Sequence, residues 1–190
     1  MADFLVAYTK LGPKEGGYVN NPSDTGKETW KGISRVHHPR WSGWILIDEA
    51  KNNPHFPDVL DNLPALEDAV KSLYREEYWN RIRGDDIPQQ DIADELFEAG
   101  VNCHPSNAVR FVQTAVNVLN RNQKLYLDID VDGTMGRNTL GAIQDCIKSR
   151  SVRLLLKIMN QAQGNYYMDL LIRKPDQEVF AVSWFSRVEL

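Results

Sequence analysis

Six residues near the start of the chain, Glu15, Gly16, Gly17, Tyr18, Asp24 and Thr29, make its densest set of groups that could do chemistry. Cleaving a glycosidic bond takes a protonated carboxylic acid beside the leaving oxygen, and usually a second carboxylate that attacks the sugar or activates a water. Glu15 and Asp24 are candidates for those two places. Gly16 and Gly17 let a substrate or a backbone come close, and the Pro-containing turn that follows brings the second carboxylate back toward the first. Tyr18 and Trp30 flank the carboxylates; by excluding water from Glu15 they would disfavour its charged form and leave a proton to donate near neutral pH. Thr29 could hold the attacking water. A purely structural reading fits the same residues: Glu15 accepting from loop N–H groups, and Asp24 making an Asx-turn with Gly26. Spacing alone leaves both readings open.

The elements that must position these residues are mostly helical. Phe4, Leu5, Tyr8 and Leu11 fall at helical spacing behind Asp3, a suitable N-cap, and Gly12-Pro13 breaks the pattern, so a short helix ends close to Glu15. Residues 16–33, rich in Gly, Asn, Pro, Ser and Asp, read as an irregular loop anchored by Tyr18, Trp30 and Ile33. From Pro64 on, Leu66, Ala69, Val70, Leu73 and Tyr74 form one apolar stripe. Pro88 opens a helix with Ile92, Ala93, Leu96, Phe97 and Gly100 on one face, and Ala108, Phe111, Val112, Ala115, Val116 and Leu119 repeat the pattern after Pro105. Val152 to Leu171 reads as a long helix weakened at Gly164, and Phe180 to Val188 as a short terminal one. Alternation with a period of two is confined to Leu125–Val131. The expected fold is mainly α, with little or no sheet.

Composition narrows the function. The chain has 190 residues, 42% hydrophobic and 25% charged, which excludes fibrous and wholly disordered classes. Its net charge of −4, with the basic residues scattered, argues against a nucleic-acid partner. No apolar stretch is long enough to span a membrane, and the N-terminal apolar run is too short and interrupted for a signal peptide, so synthesis in the cytoplasm without a leader is expected. Cys103 and Cys146 read as buried free thiols. His37, His38, His55 and His104 lack a metal-ligand spacing and read as surface or packed residues. Asp128, Asp130, Asp132 and Gly133 imitate the start of a calcium loop, but its twelfth position is Thr139 rather than a bidentate Glu; an Asp-Gly turn into a helix starting near Arg137 is preferred. Of Trp30, Trp41, Trp44, Trp79 and Trp184, only Trp30 is expected to face a substrate, with Tyr18. Neither a cofactor nor a metal is expected.

The run EGGYVNNPSDTGKETWKGI (15–33) resembles the signature of the glycoside hydrolase family 108 muramidases, often described as peptidoglycan-domain or secretion-activator proteins. YWNRIRGDDIP (78–88), IADELFEAGVN (92–102), Gln113 with Asn117, DGTMGRNTL (132–140) and PDQEVFAVSWFSRV (175–188) resemble that family's later motifs, so the likeness spans nearly the whole chain. The order of Glu15, Asp24 and Thr29 is also similar to the Glu, Asp, Thr constellation of phage-type lysozymes, with one residue fewer before the Thr. The sequence departs from the family at Asn21, where an aspartate is usual, at Lys27, where a second glycine is usual, and at Ser183, where a glycine precedes the Trp.

The resemblance implies a lysozyme-like helical fold with an irregular catalytic loop. Residues 1–88 would be the catalytic part and 89–190 a helical peptidoglycan-binding-type part packed on it, or the two would form one continuous domain. It implies an N-acetylmuramidase cutting the glycan backbone of bacterial peptidoglycan, with Glu15, the glutamate of the EGGY motif, as general acid; residue chemistry adds Asp24 as base or electrostatic partner and Thr29 as the group positioning water. Gly16, Gly17, Tyr18, Asn21 and Trp30 would contact the substrate. A holin or a secretion system would carry the protein to the wall, which suits a prophage endolysin and a secretion-linked muramidase equally. The alternative is a wall-binding or secretion-assisting protein that kept the groove and lost hydrolysis; the acidic net charge gives no steering toward an anionic wall.

Overall fold

Helical periodicity along most of the sequence is realised as eight α-helices among the described residues of a computed structural model, which are 1–12, 17–21 and 26–188. The fold is mainly α with one small sheet, as expected. The chain divides into two units, Phe4–Glu77 and Met1–Asp3 together with the chain from Tyr78 on.

In the first unit, helix α1 (Phe4–Leu11) buries Phe4, Ala7 and Tyr8. Leu5, part of the expected stripe, is 57% exposed, because the face through Phe4 continues at the third and fourth residues onward and leaves Leu5 outside it. Gly12, at φ +66°, ends the helix in the left-handed region that favours glycine. Helix α2 (Gly43–Ala50), which the sequence reading did not mark, buries Trp44 and Ile47. Helix α3 (Pro64–Tyr74) begins with Pro at its first position, carries Glu67 in its first turn and buries Leu66, Val70 and Leu73. Tyr8 and Tyr74 meet edge to face at 5.7 Å, and the Tyr8 hydroxyl donates to Glu67 at 3.2 Å, joining α1 to α3.

The stretch read as an irregular loop holds a three-stranded antiparallel sheet: β1 (Val19–Asn20), β2 (Glu28–Trp30) and β3 (Ile33–Ser34). Val19 pairs with Thr29, Asn20 with Glu28, Thr29 with Ser34 and Trp30 with Ile33. Strands of two or three residues are too short for an alternating pattern to register in the sequence.

In the second unit, α5 (Pro105–Leu119) packs against α4 (Gln90–Cys103), α6 (Arg137–Ser149) and α7 (Val152–Arg173). Its apolar face buries Ala108, Val112, Ala115 and Val116 against a core that includes Leu96, Phe97, Ile143, Leu155 and Met159. Gly164 does not interrupt α7, which runs unbroken to Arg173; a Cβ there would meet Val188 at an ordinary contact distance of 3.5 Å. The terminal segment is a 3-10 stretch (Pro175–Phe180) leading into α8 (Ala181–Phe185). Cys103 and Cys146 are buried free thiols. Burial pushes Cys103 up to about 11, only partly offset by its bond to Tyr167.

The segment of period two, Leu125–Val131, is not a strand. Three amides on one face of α5 and just beyond it, at positions 113, 117 and 120, hold the chain that follows. Asn117 donates to the Ile129 carbonyl at 2.8 Å and accepts from the Ile129 N–H at 3.0 Å, doing for that residue what a neighbouring strand would do. Asn120 donates to Asp128 at 2.6 Å and accepts from Gln123 N–H at 3.0 Å. Gln113, 1% exposed, donates to Asp132 at 2.8 Å and to Thr139 at 3.1 Å and accepts from the Gly133 N–H at 2.9 Å. The Asp-Gly turn therefore leads into α6, which starts at Arg137, and two of the three aspartates of the calcium-like run are engaged by these amides.

Replacing Gln113 by Ala should leave Thr139 and the Gly133 N–H short of buried partners and cost about 2–4 kcal/mol. Denaturant unfolding of Gln113→Ala beside the parent protein measures this; a change under about 0.5 kcal/mol would show that the amide clasp is dispensable.

Candidate functional site

Strand parity sorts the residues that follow the candidate acid in the sequence onto two faces of the hairpin. Within β2, Glu28 and Trp30 are buried and Thr29 between them is half-buried, so Thr29 points to the other side. Its neighbours there are Ser34, its cross-strand partner, and Gly26, where a Cβ would lie 3.2 Å from Thr29 Oγ1. Ser34 Oγ donates to the Gly26 carbonyl at 2.9 Å, which ties the turn to β3. Lys27 has φ +50°, a left-handed conformation that glycine adopts without strain and lysine does not.

The buried face is organised by a carboxylate that the sequence reading passed over. Glu28 is 7% exposed. It accepts from the Tyr18 hydroxyl at 2.8 Å and pairs with Arg35 at 2.6 Å and Lys51 at 2.7 Å. Asp48, on α2, closes the circuit: Arg35 reaches both of its oxygens, and Lys51 pairs with it at 2.7 Å. Arg35 also lies over the Trp44 ring, 4.9 Å from its centroid. Two anions and two cations thus alternate, clamping the hairpin to α2. Burial by itself would raise the Glu28 pKa, but hydrogen bonds from Lys51, Tyr18 and Arg35 outweigh it and leave the carboxyl below its ordinary range. The Arg35 bond, with Lys51 adding to it, lowers Asp48 to about 2. A carboxylate held ionised in this way is a poor proton donor, so Glu28 serves as a structural anion. Its partners lie 7 and 23 residues further along the chain, a separation that no local spacing rule detects.

Of the residues picked out from sequence, Glu15, Gly16 and Asp24 lie outside the described residues. The hairpin and its flanks hold the others. Gly17 is exposed, with nothing within 4 Å of where a Cβ would stand. Asn21 is exposed and its N–H bonds to the Lys27 carbonyl at 3.3 Å. Tyr18 packs its ring edge on Phe56 at 4.7 Å and commits its hydroxyl to Glu28. Trp30 is 2% exposed, with Lys31 5.4 Å from its ring centroid. That indole belongs to the core, and its faces are closed to a sugar ring. Thr29 stands on the face opposite Tyr18 and Trp30.

These features define a mainly helical, lysozyme-like protein whose N-terminal unit carries a short hairpin sheet clamped to α2. Residues 8–103 match the family model described as glycosyl hydrolase 108, and residues 107–189 match one described as a predicted peptidoglycan domain. The chain belongs to the glycosyl hydrolase 108 family. A solved structure titled "Structure of Brucella abortus SagA" shares the fold, with a TM-score of 0.62 and 23% identity over 97% of this chain and 88% of that one. No curated protein matches the sequence. The described residues include no helix long and apolar enough to cross a membrane.

Two outcomes follow from the hairpin. Both clamp carboxylates have lowered pKa values, so the stability they contribute is complete above the ordinary carboxylate range near 4 and is lost as pH falls through the folded values, about 2 for Asp48. Melting temperatures should drop between about pH 4 and pH 2, and Glu28→Gln should both flatten that drop and cost about 1–3 kcal/mol at neutral pH. Lys27→Gly should instead stabilise by about 0.5–1 kcal/mol, read as a higher melting temperature, by relieving the left-handed backbone.

Proposed function

We propose that the protein is a peptidoglycan hydrolase, an N-acetylmuramidase that cuts the bond from the anomeric carbon of N-acetylmuramic acid to O4 of N-acetylglucosamine. The match of residues 8–103 to a glycoside hydrolase family carries this reading, and the adjoining predicted peptidoglycan domain supports the wall as partner. Glu15 donates its proton to the leaving O4 as the glycosidic bond breaks. Asp24, ionised, either takes a proton from the attacking water or steadies the positive charge developing on the sugar. Thr29, on the face of β2 turned away from the clamp, holds that water through its hydroxyl. Gly17 and Asn21 border the substrate. No metal or redox group enters these steps, since water supplies both the hydroxyl and the proton that complete the products. The substrate lies outside the cytoplasm, so a holin or a dedicated exporter brings enzyme and wall together.

The second reading, a wall-binding protein without hydrolysis, rests on Asn21, which removes a carboxylate usual in the family. Lys27 adds nothing to it, because its φ of +50° makes glycine at that position a backbone preference.

Purified sacculi incubated with the parent protein and Glu15→Gln, followed by turbidity and by release of reducing ends, test the proposal. The parent should clear the suspension, and the variant should be slower by about 10²–10⁴-fold while still co-sedimenting with the wall. Equal rates would remove Glu15 from the reaction, and co-sedimentation without any cleavage by the parent would favour the binder.

A further inference from the structure

The first unit carries a second polar site, apart from the hairpin clamp. A cavity of about 730 Å³ opens between the loop that follows β3 and the C-terminal half of α3. That volume suits a ligand of several residues or rings. Its walls differ in sign: Arg40 is the cation on the loop side, where His37 and His38 also line the cavity, and Glu76 and Glu77 stand just past the end of α3. Among the described residues, the side chains of Arg40 and Glu76 form no ion pair or hydrogen bond. Exposed charges of opposite sign on one cavity that do not pair with each other leave both able to serve a third body.

The loop wall is built rather than loose. The N–H groups of His37 and His38 both bond to the Ser34 carbonyl, at 3.2 and 2.8 Å, so the loop leaves the sheet in a fixed direction. The Trp44 indole donates to the His38 carbonyl at 2.7 Å, and the Trp41 indole donates to Ala69 on α3 at 3.2 Å. Trp41 and Trp44 meet edge to face at 5.1 Å, and a Cβ on residue 43 would come within 2.3 Å of the Trp41 ring, so only glycine permits the indole to lie there. The two walls are therefore held by bonds that no ligand has to form, and binding loses little to ordering them.

We infer that this cavity binds a short peptide bearing both a carboxylate and a free ammonium group, as the peptide stem of peptidoglycan does. The inference rests on the wall being the partner. Arg40, with the loop histidines beside it, receives the carboxylate; Glu76 receives the ammonium; Trp41 offers its ring to the aliphatic part between them. A simple anion would be repelled by the glutamates and a simple cation by Arg40, whereas a ligand carrying both charges meets a partner of opposite sign on each wall. The site would make the enzyme prefer strands that still carry their peptides.

Calorimetric titration of the protein with a free tetrapeptide stem, with the same peptide N-acetylated on its amines and amidated on its carboxyls, and with peptide-free glycan oligomers tests this. The free stem should bind saturably and the blocked peptide should not. Arg40→Ala and Glu76→Gln, both changes at exposed side chains, should each weaken the stem by roughly tenfold while leaving binding of peptide-free glycan and the melting temperature unchanged. Equal affinity for free and blocked peptide, or unaltered affinity in both variants, would overturn the inference. A protein that cleaves peptide-free glycan yet ignores the stem would overturn this site alone, and one that binds the stem but cleaves nothing would overturn the hydrolase reading alone.

Discussion

A carboxylate withdrawn from water needs partners, and the partners of Glu28 fix how the hairpin is held to α2. The three strands of the sheet contain two, three and two residues, too few for ladder bonds to fix their position. Tyr18 on one side of the hairpin, Arg35 beyond it and Lys51 at the end of α2 all converge on Glu28. Removing any one of them would leave a buried charge less than fully compensated, so each segment is constrained by the others. The hairpin is thereby attached to α2, and Thr29 is turned to the opposite face, free of the clamp.

The second unit meets a similar demand with neutral groups. Its long connection between α5 and α6 has no strand to pair with, and its backbone groups would otherwise depend on water. Gln113, Asn117 and Asn120 provide the missing donors and acceptors from α5, each amide offering both kinds. Neutral amides suit the buried Gln113 because they avoid the desolvation cost that a charge would carry there. Ionic bonding in one unit and amide bonding in the other are two answers to the same accounting of polar groups in irregular segments.

The family's departures acquire physical meaning in this setting. Lys27 occupies a left-handed backbone position, so glycine there answers a conformational demand and its replacement is a matter of strain. Tyr18 and Trp30, expected beside a substrate, are drawn to the buried face, Trp30 by its large apolar surface and Tyr18 by the anion that needs its hydroxyl. Thr29 alone of these residues stands on the opposite face of the hairpin, and the aromatic pair supports the scaffold.

Periodicity in the sequence determined the long helices, because apolar stripes of 3.6-residue repeat over ten or more positions have few other ways to be buried, and α3, α4, α5 and α7 lie where those stripes fall. The motif residues likewise determined the family, since they survive as a linear string. What only the tertiary structure decided was the small sheet, the face on which each hairpin side chain stands, and the meeting of Glu28 with Arg35, Asp48 and Lys51. Strands this short leave no pattern to read, and an ion pair between distant positions comes into being only when folding brings them within a few ångströms while excluding water.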